Sequence, residues 1–250
     1  SGQDEGLRFH MDAPEAAHMG LAARPASAEA RFGDVALSAF ASTGAGAGGT
    51  RTARADALGL SLAWRPGGGP VGLGLGRMAE ADTFLGGRTE GAFGTLSSRL
   101  DFVRAETGFE AGGWRFDMAA ELGRALPEAE GGLLAAGGGD AFSTAFSTTV
   151  ARPVGKGTLR LSLQQPLRVE SGHLDLSLPV GRTPEGAVRR ERVRVGLDPS
   201  GRQLDFGIDW TQPLAPGAAW RIGAVLSREP GHDAGHDAEA VLLAGLRVGL

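Results

Sequence analysis

Apolar and polar side chains alternate along most of this chain, and the alternation is most regular between Lys156 and Leu250. Leu159, Leu161 and Leu163 flank Arg160 and Ser162, and Leu174, Leu176, Leu178 and Val180 enclose Asp175 and Ser177. Leu204, Phe206, Ile208 and Trp210 enclose Asp205, Gly207 and Asp209, and Leu242, Ala244, Leu246, Val248 and Leu250 close the chain. A period of two predicts strands with one apolar face and one polar face. From Phe32 onward the pattern predicts about twelve antiparallel strands, at 32–40, 52–65, 71–79, 95–105, 113–123, 141–151, 157–165, 172–181, 187–197, 202–211, 218–227 and 239–250. Many approach the roughly 9–11 residues that a tilted strand needs to cross a bilayer.

The segments between these runs carry a second signal. Long connections (41–51, 80–94, 124–140) alternate with short ones (66–70, 106–112, 152–156) through the first half of the chain. Outer-membrane barrels show this asymmetry between the two ends of the sheet. It weakens at 198–201, which is short where a long loop is expected. Ahead of the strands, Asp12-Ala13-Pro14-Glu15 reads as a helix start, with a capping Asp, an early Pro and an acid at the positive dipole end. A short helix is expected near Ala13–Arg24, stopped by Pro25. Residues 1–31 are thus expected to be a linker or helix, within or below a lumen, and residues 32–250 to be the strand domain.

Composition narrows the choice of medium. No run approaches the roughly 18 apolar residues of a membrane helix, a test that is blind to barrels. The Ser-Gly-Gln-Asp-Glu start lacks the basic and apolar segments of a signal peptide, so an exported protein would be represented here by its mature chain or a domain. There is no Cys, which excludes disulfides and thiolate metal sites. A net charge of −4 and a pI near 5.8 give no support to a nucleic-acid partner.

Alternation alone suits a soluble sandwich as well as a barrel. Three features favour lipid. The polar face is rich in small residues: Gly59, Ser61 and Ala63; Gly72, Gly74 and Gly76; Ala141, Ser143, Ala145 and Ser147. Lys156 is the only lysine, so the common device for blunting strand edges is missing, and a closed ring has no edge to blunt. The terminus, with Gly245, Val248 and Leu250 in Gly-Leu-Arg-Val-Gly-Leu, resembles the C-terminal signal of bacterial outer-membrane barrels. Against them, Tyr is absent, so an interfacial girdle would rest on Phe and on Trp64, Trp114, Trp210 and Trp220.

Gln164–Val180, together with Gly201-Arg202-Gln203-Leu204-Asp205 and Arg228-Glu229-Pro230-Gly231-His232, resembles the C-terminal region of subtilisin-like (S8 family) serine peptidases of Gram-negative bacteria that carry an autotransporter-type barrel. The match is clearest over residues 140–250. The resemblance implies a translocator domain of about twelve strands with a helix threading the lumen, an exported passenger upstream, and insertion by the barrel-assembly machinery. No Asp-Thr-Gly, His-Gly-Thr or Gly-Thr-Ser-Met-Ala block occurs, so peptidase activity does not carry over.

Candidate chemistry is sparse. His232, Asp233, His236 and Asp237 share one loop and suit Zn or Ni, yet Gly and Asp are ordinary turn residues, and no metal site is assigned. Ser171, His173 and Asp175 would stand in a row along one strand, about 7 Å apart, too far apart for a hydrolytic triad; no catalytic residue and no cofactor is expected. Gly67–Gly69 and Gly137–Gly139 lack the Lys-Ser/Thr of a phosphate loop. Gly72, Gly74 and Gly76 lie within a strand and indicate close packing against something in the lumen. The inward polar set is expected to be Arg115, Asp117, Glu121, Arg160, Asp175, Asp205, Asp209, Arg221 and Arg247, whose mixed signs suit structural pairing rather than a charge-selective pore.

The expectation is an all-β chain, a transmembrane barrel of about twelve strands in the outer membrane, serving as translocator and anchor without catalysis of its own. A passive porin-like channel and a soluble all-β binding domain are the alternatives.

Overall fold

A computed structural model describes residues 22–48, 51–65, 69–81, 95–130 and 139–248. The chain is all-β, with no α-helix among the described residues. Its strands are β1 (Ala22–Phe32), β2 (Val35–Gly48), β3 (Arg51–Trp64), β4 (Val71–Ala81), β5 (Thr95–Ala111), β6 (Trp114–Glu130), β7 (Ala141–Val154), β8 (Gly157–Ser171), β9 (His173–Arg182), β10 (Val188–Gly196), β11 (Leu204–Ala215), β12 (Ala218–Arg228) and β13 (Glu239–Val248). Eleven of them form one antiparallel sheet in the order β1 to β8, then β11, β12 and β13. Strands β9 and β10 form a separate two-stranded hairpin inserted between β8 and β11. Closure of the large sheet on itself is not found. Both edge strands, β1 and β13, run in the same direction, as the first and last of an odd antiparallel series must.

The two ends of the sheet differ in most of their connections. At one end, the turn end, strands are joined by 33–34, 65–70, 112–113, 155–156 and 216–217. Gly112 and Gly113 both take positive φ (59° and 76°), as a two-residue type I′ hairpin requires. At the other, the loop end, the connections are 49–50, 82–94, 131–140, 172–203 and 229–238. The length asymmetry holds for four of the five loop-end connections and fails at 49–50, which is as short as the turns at the opposite end. Segment 198–201 looked too short because it is only the tail of a long connection that contains the β9–β10 hairpin.

Four expectations are corrected. The strands expected at 172–181 and 187–197 form as β9 and β10, but among the described residues they pair only with each other. Alternation marks a strand without naming its neighbour, and here the neighbour is local. Segment 41–51, expected as a long loop, is mostly strand, because β2 and β3 stay paired out to Gly48 and Arg51. The helix over Ala13–Arg24 gives way to β1 at Ala22–Arg24; its remainder lies outside the described residues. The sheet therefore begins ten residues before the expected boundary at Phe32. Ala26, Ala28 and Ala30 alternate with Ser27, Glu29 and Arg31; pairing with β2 overrides their helical preference, and Pro25 is tolerated because β1 is an edge strand.

Packing on the inner, more buried face joins large residues to small ones. Phe40, Gly59, Gly76, Phe102 and Gly123 are successive partners across β2 to β6. The Phe40 and Phe102 rings occupy the space a side chain at Gly59 or Gly76 would fill. The glycines expected to pack against something in a lumen are thus covered by neighbouring side chains: Gly76 by Phe102, and Gly72 by Glu106. A Cβ at Gly76 would lie 2.5 Å from Phe102 Cζ and 2.9 Å from the Leu58 carbonyl oxygen. Gly76→Ala is expected to cost about 1–3 kcal/mol through overpacking, read as a lower urea midpoint.

Candidate functional site

Exposure along the strands is inverted relative to a water-soluble domain. On β3, Leu58, Leu60, Leu62 and Trp64 are exposed while Ala57 is buried, and on β4, Val71, Leu73 and Leu75 are exposed while Met78 and Glu80 are buried. Phe109, Met118, Leu122, Phe206, Ile208, Ile222, Leu226, Leu242 and Leu246 are also exposed. Among the described residues the buried apolar core is only Ala57, Met78, Leu100, Phe102, Ala125 and Ala141. Soluble domains bury their leucines and rarely leave a contiguous apolar surface of this extent.

Register assembles the exposed residues into a belt. Leu37, Leu62, Leu73 and Ala105 are successive cross-strand partners, and so are Ala39, Leu60, Leu75, Val103 and Leu122. Toward the loop end the belt stops at charge. Arg77 Nη2 donates to Asp101 Oδ2 at 3.1 Å, Arg124 Nε to Asp140 at 2.7 Å, and Arg99 lies 3.9 Å from Glu128. Toward the turn end stand Trp64, the last residue of β3, and Trp114, the first of β6. Phe109 stacks on Phe116 at 4.8 Å there, and the Arg152 guanidinium lies over Trp114 at 5.5 Å. From Trp114 to Arg124 the outer face of β6 runs about 34 Å at 3.4 Å per residue.

The opposite face is polar and paired. Arg115 Nε meets Asp117 at 3.0 Å, Arg104 stands 3.8 Å from the buried Glu121, and Arg221 reaches Asp209 at 3.2 Å. Buried Ser98 donates to Glu80. Asp205 accepts from Gln203 Nε2 at 2.9 Å. Arg160 stands in register with Asp209, and Arg247 with Ala219. Of the nine residues expected on this face, Asp175 is the exception: it lies in the β9–β10 hairpin and pairs with Arg194 at 3.3 Å. Gly245 lies in β13, whose last residue is Val248; Leu250 is outside the described residues.

A third feature was not anticipated from residue chemistry. At the loop end, the ends of β7, β8, β11 and β12 are joined by one hydrogen-bonded cluster. Arg168 donates to the carbonyls of Gly201 (2.9 Å) and Pro199 (3.0 Å) and pairs with Glu170, which also accepts from Arg202 Nη2 at 2.8 Å and Thr144 Oγ1 at 2.6 Å. Gln165 donates to Thr144 Oγ1 at 3.0 Å and accepts from Arg202. Glu229 accepts from the Arg202 amide at 2.7 Å, which holds its carboxyl below the usual range. These polar residues sit at strand ends, out of the alternating period. The sequence signal that could have found them is the three resembling segments, Gln164–Val180, Gly201–Asp205 and Arg228–His232, which meet here.

His232 is the buried centre of this cluster. Its Nδ1 accepts from the Gln203 amide at 2.9 Å and its Nε2 lies 2.9 Å from the Leu167 carbonyl, so the ring is neutral with its proton on Nε2. Burial, with Arg168 and Arg202 adding to it, lowers its pKa from 6.5. A lowered folded-state value means that the stabilisation is complete above about pH 6.5, the unfolded value. It is lost as pH falls from there through the folded value, because Nδ1 protonation sets donor against donor at Gln203. Protease cleavage within 229–238 is expected to rise between pH 7 and 5, and His232→Ala is expected to remove that pH dependence.

Neither the metal nor the hydrolase arrangement is assembled. Both His232 nitrogens are engaged, His236 lies 3.6 Å from Asp233, and no group of three potential metal ligands occurs among the described residues. Ser171 ends β8 and His173 opens β9, so the row expected along a single strand does not form. No protein-family profile matches the chain, and no curated protein is a significant relative.

Proposed function

We propose that the apolar belt faces lipid, and that the sheet is the wall of an outer-membrane barrel of about twelve strands acting as translocator and anchor for an exported passenger. The observation that carries this reading is the inversion: leucines outside, paired charges and small residues behind them. Only a closed ring of strands, or helices, satisfies the backbone in a bilayer, and the turn-end/loop-end asymmetry fits insertion with the short turns in the periplasm. Convergence of the three resembling segments into one cluster supports the autotransporter-type assignment over a generic porin. So does the β9–β10 hairpin, whose Leu174 and Leu176, with Leu197 just beyond it, pack against the inner-face cluster at the loop end and narrow any open route.

The test is the medium in which the chain folds. Urea-denatured protein diluted into detergent or lipid vesicles is expected to acquire heat-modifiable gel mobility, and in plain buffer to aggregate. Refolding to a soluble monomer without detergent would sink the proposal. In planar bilayers, steady conductance of the intact chain, unchanged by removal of residues 1–21, which leaves β1 in place, would transfer the assignment to a passive channel.

A further inference from the structure

The β9–β10 hairpin is amphipathic in a way the sheet does not require. On one face Val193 and Val195 stand opposite Leu176 and Leu174, and both leucines pack against the inner-face cluster. On the other face Arg190, Arg192 and Arg194 form a stripe, opposite Pro179, Ser177 and Asp175, with about 6.8 Å between successive backbone positions of the stripe along the strand. Arg194 pairs with Asp175, and Arg190 Nη1 donates to the Ser177 carbonyl at 3.1 Å. Asp175 is the one carboxylate within ion-pair distance of the stripe among the described residues. Glu191 points to the other face, opposite Leu178, and Glu185 in the turn is occupied by its own amide and Thr183.

Every residue of β10 is exposed, and β9 is its only ladder partner among the described residues. Its outer edge thus presents a row of backbone donors and acceptors beside a positively charged face. An exposed edge is a template for another strand, and side chains at alternate positions set which strand is accepted. We propose that β10 is a docking edge for an extended peptide segment of a partner chain in which acidic residues alternate with β-branched apolar ones. Its carboxylates would stand across from Arg190, Arg192 and Arg194, and its apolar side chains would continue the Val193–Val195 face. A second copy of this chain is the wrong partner. Antiparallel pairing of two β10 strands about Arg192 sets Arg190 against Arg194, and like charges directly opposite are destabilising.

The proposal does not depend on the belt lying in lipid and is tested on the full chain in neutral detergent. Fluorescein-labelled seven-residue peptides alternating Asp and Val, or Lys and Val, are titrated by fluorescence polarisation. The Asp–Val peptide is expected to saturate and to bind at least tenfold more tightly than the Lys–Val peptide, and N-methylation of alternate amides is expected to abolish binding. In the R190E/R192E/R194E variant the preference is expected to invert, a gain of binding that misfolding cannot mimic. Equal affinity of the methylated and unmethylated Asp–Val peptides, or displacement by inorganic polyphosphate at matched charge with no effect of methylation, would overturn the proposal in favour of a general polyanion site. Absence of saturation up to millimolar peptide would overturn it outright.

Discussion

Leu62→Arg is expected to destabilise the folded chain in lipid vesicles by about 2–4 kcal/mol, the cost of a guanidinium near the bilayer midplane on the outer face of a barrel. Leu62 is 48% exposed and flanked in register by Leu37 and Leu73, inside the belt between Trp64, two residues away, and the Arg77–Asp101 rank, four residues away at Leu58. A water-facing site of the same exposure would accept arginine within about 0.5 kcal/mol. Urea unfolding in phosphatidylcholine vesicles decides between them. Ala41→Arg supplies the control. It lies on the outer face beside Leu58, one step from Arg77 across the sheet, where headgroups and charged partners reduce the expected cost to about 0–1 kcal/mol. Equal, small effects at both positions would place the belt in water.

The second large effect is expected at Arg168. Its side chain is 13% exposed and closes the loop-end cluster through Glu170 and the Gly201 and Pro199 carbonyls. Arg168→Met removes the fork and leaves Glu170 with only part of its compensation. Breaking a buried pair from one side costs 3–5 kcal/mol, and partial exposure here points to about 3 kcal/mol. Arg168→Lys keeps the charge but loses the two-carbonyl grip and is expected to fall between. The signature separating this from general weakening is local: protease cleavage within 172–203 increases before the strands unfold. Arg192→Met, on the exposed stripe, is expected to leave the urea midpoint unchanged.

How far the sequence could be read depended on whether local pattern or distant pairing decided each element. Residues 71–79, 95–105, 113–123 and 157–165 were legible as strands because Leu, Val and Phe alternate there with Gly, Ser or charge. The same parity placed Arg115, Asp117, Glu121, Asp209 and Arg221 on one face. Ala22–Phe32 was illegible because alanine satisfies both helix and strand, and only β2 settles which. The β9–β10 hairpin carries the same alternation as its neighbours, so nothing local announced that its partner was itself rather than β8 and β11. Arg168, Arg202, Gln203 and His232 escaped residue-level reading because they act at strand ends, where the period lapses and hydrogen-bond geometry takes over.

The shared heading of β1 and β13 has a consequence for the barrel proposed above. Rings sealed by opposing ladders admit only even memberships, and among the described residues the large sheet counts eleven. One more strand, ascending from the turn end and finishing at the loop end, is the smallest addition that lets every edge amide find an oppositely directed neighbour. β1 begins at that loop end, at Ala22, and β13 begins there at Glu239. In such a barrel the seam would therefore fall between β1 and β13, the two strands of the large sheet that each have a single ladder partner among the described residues.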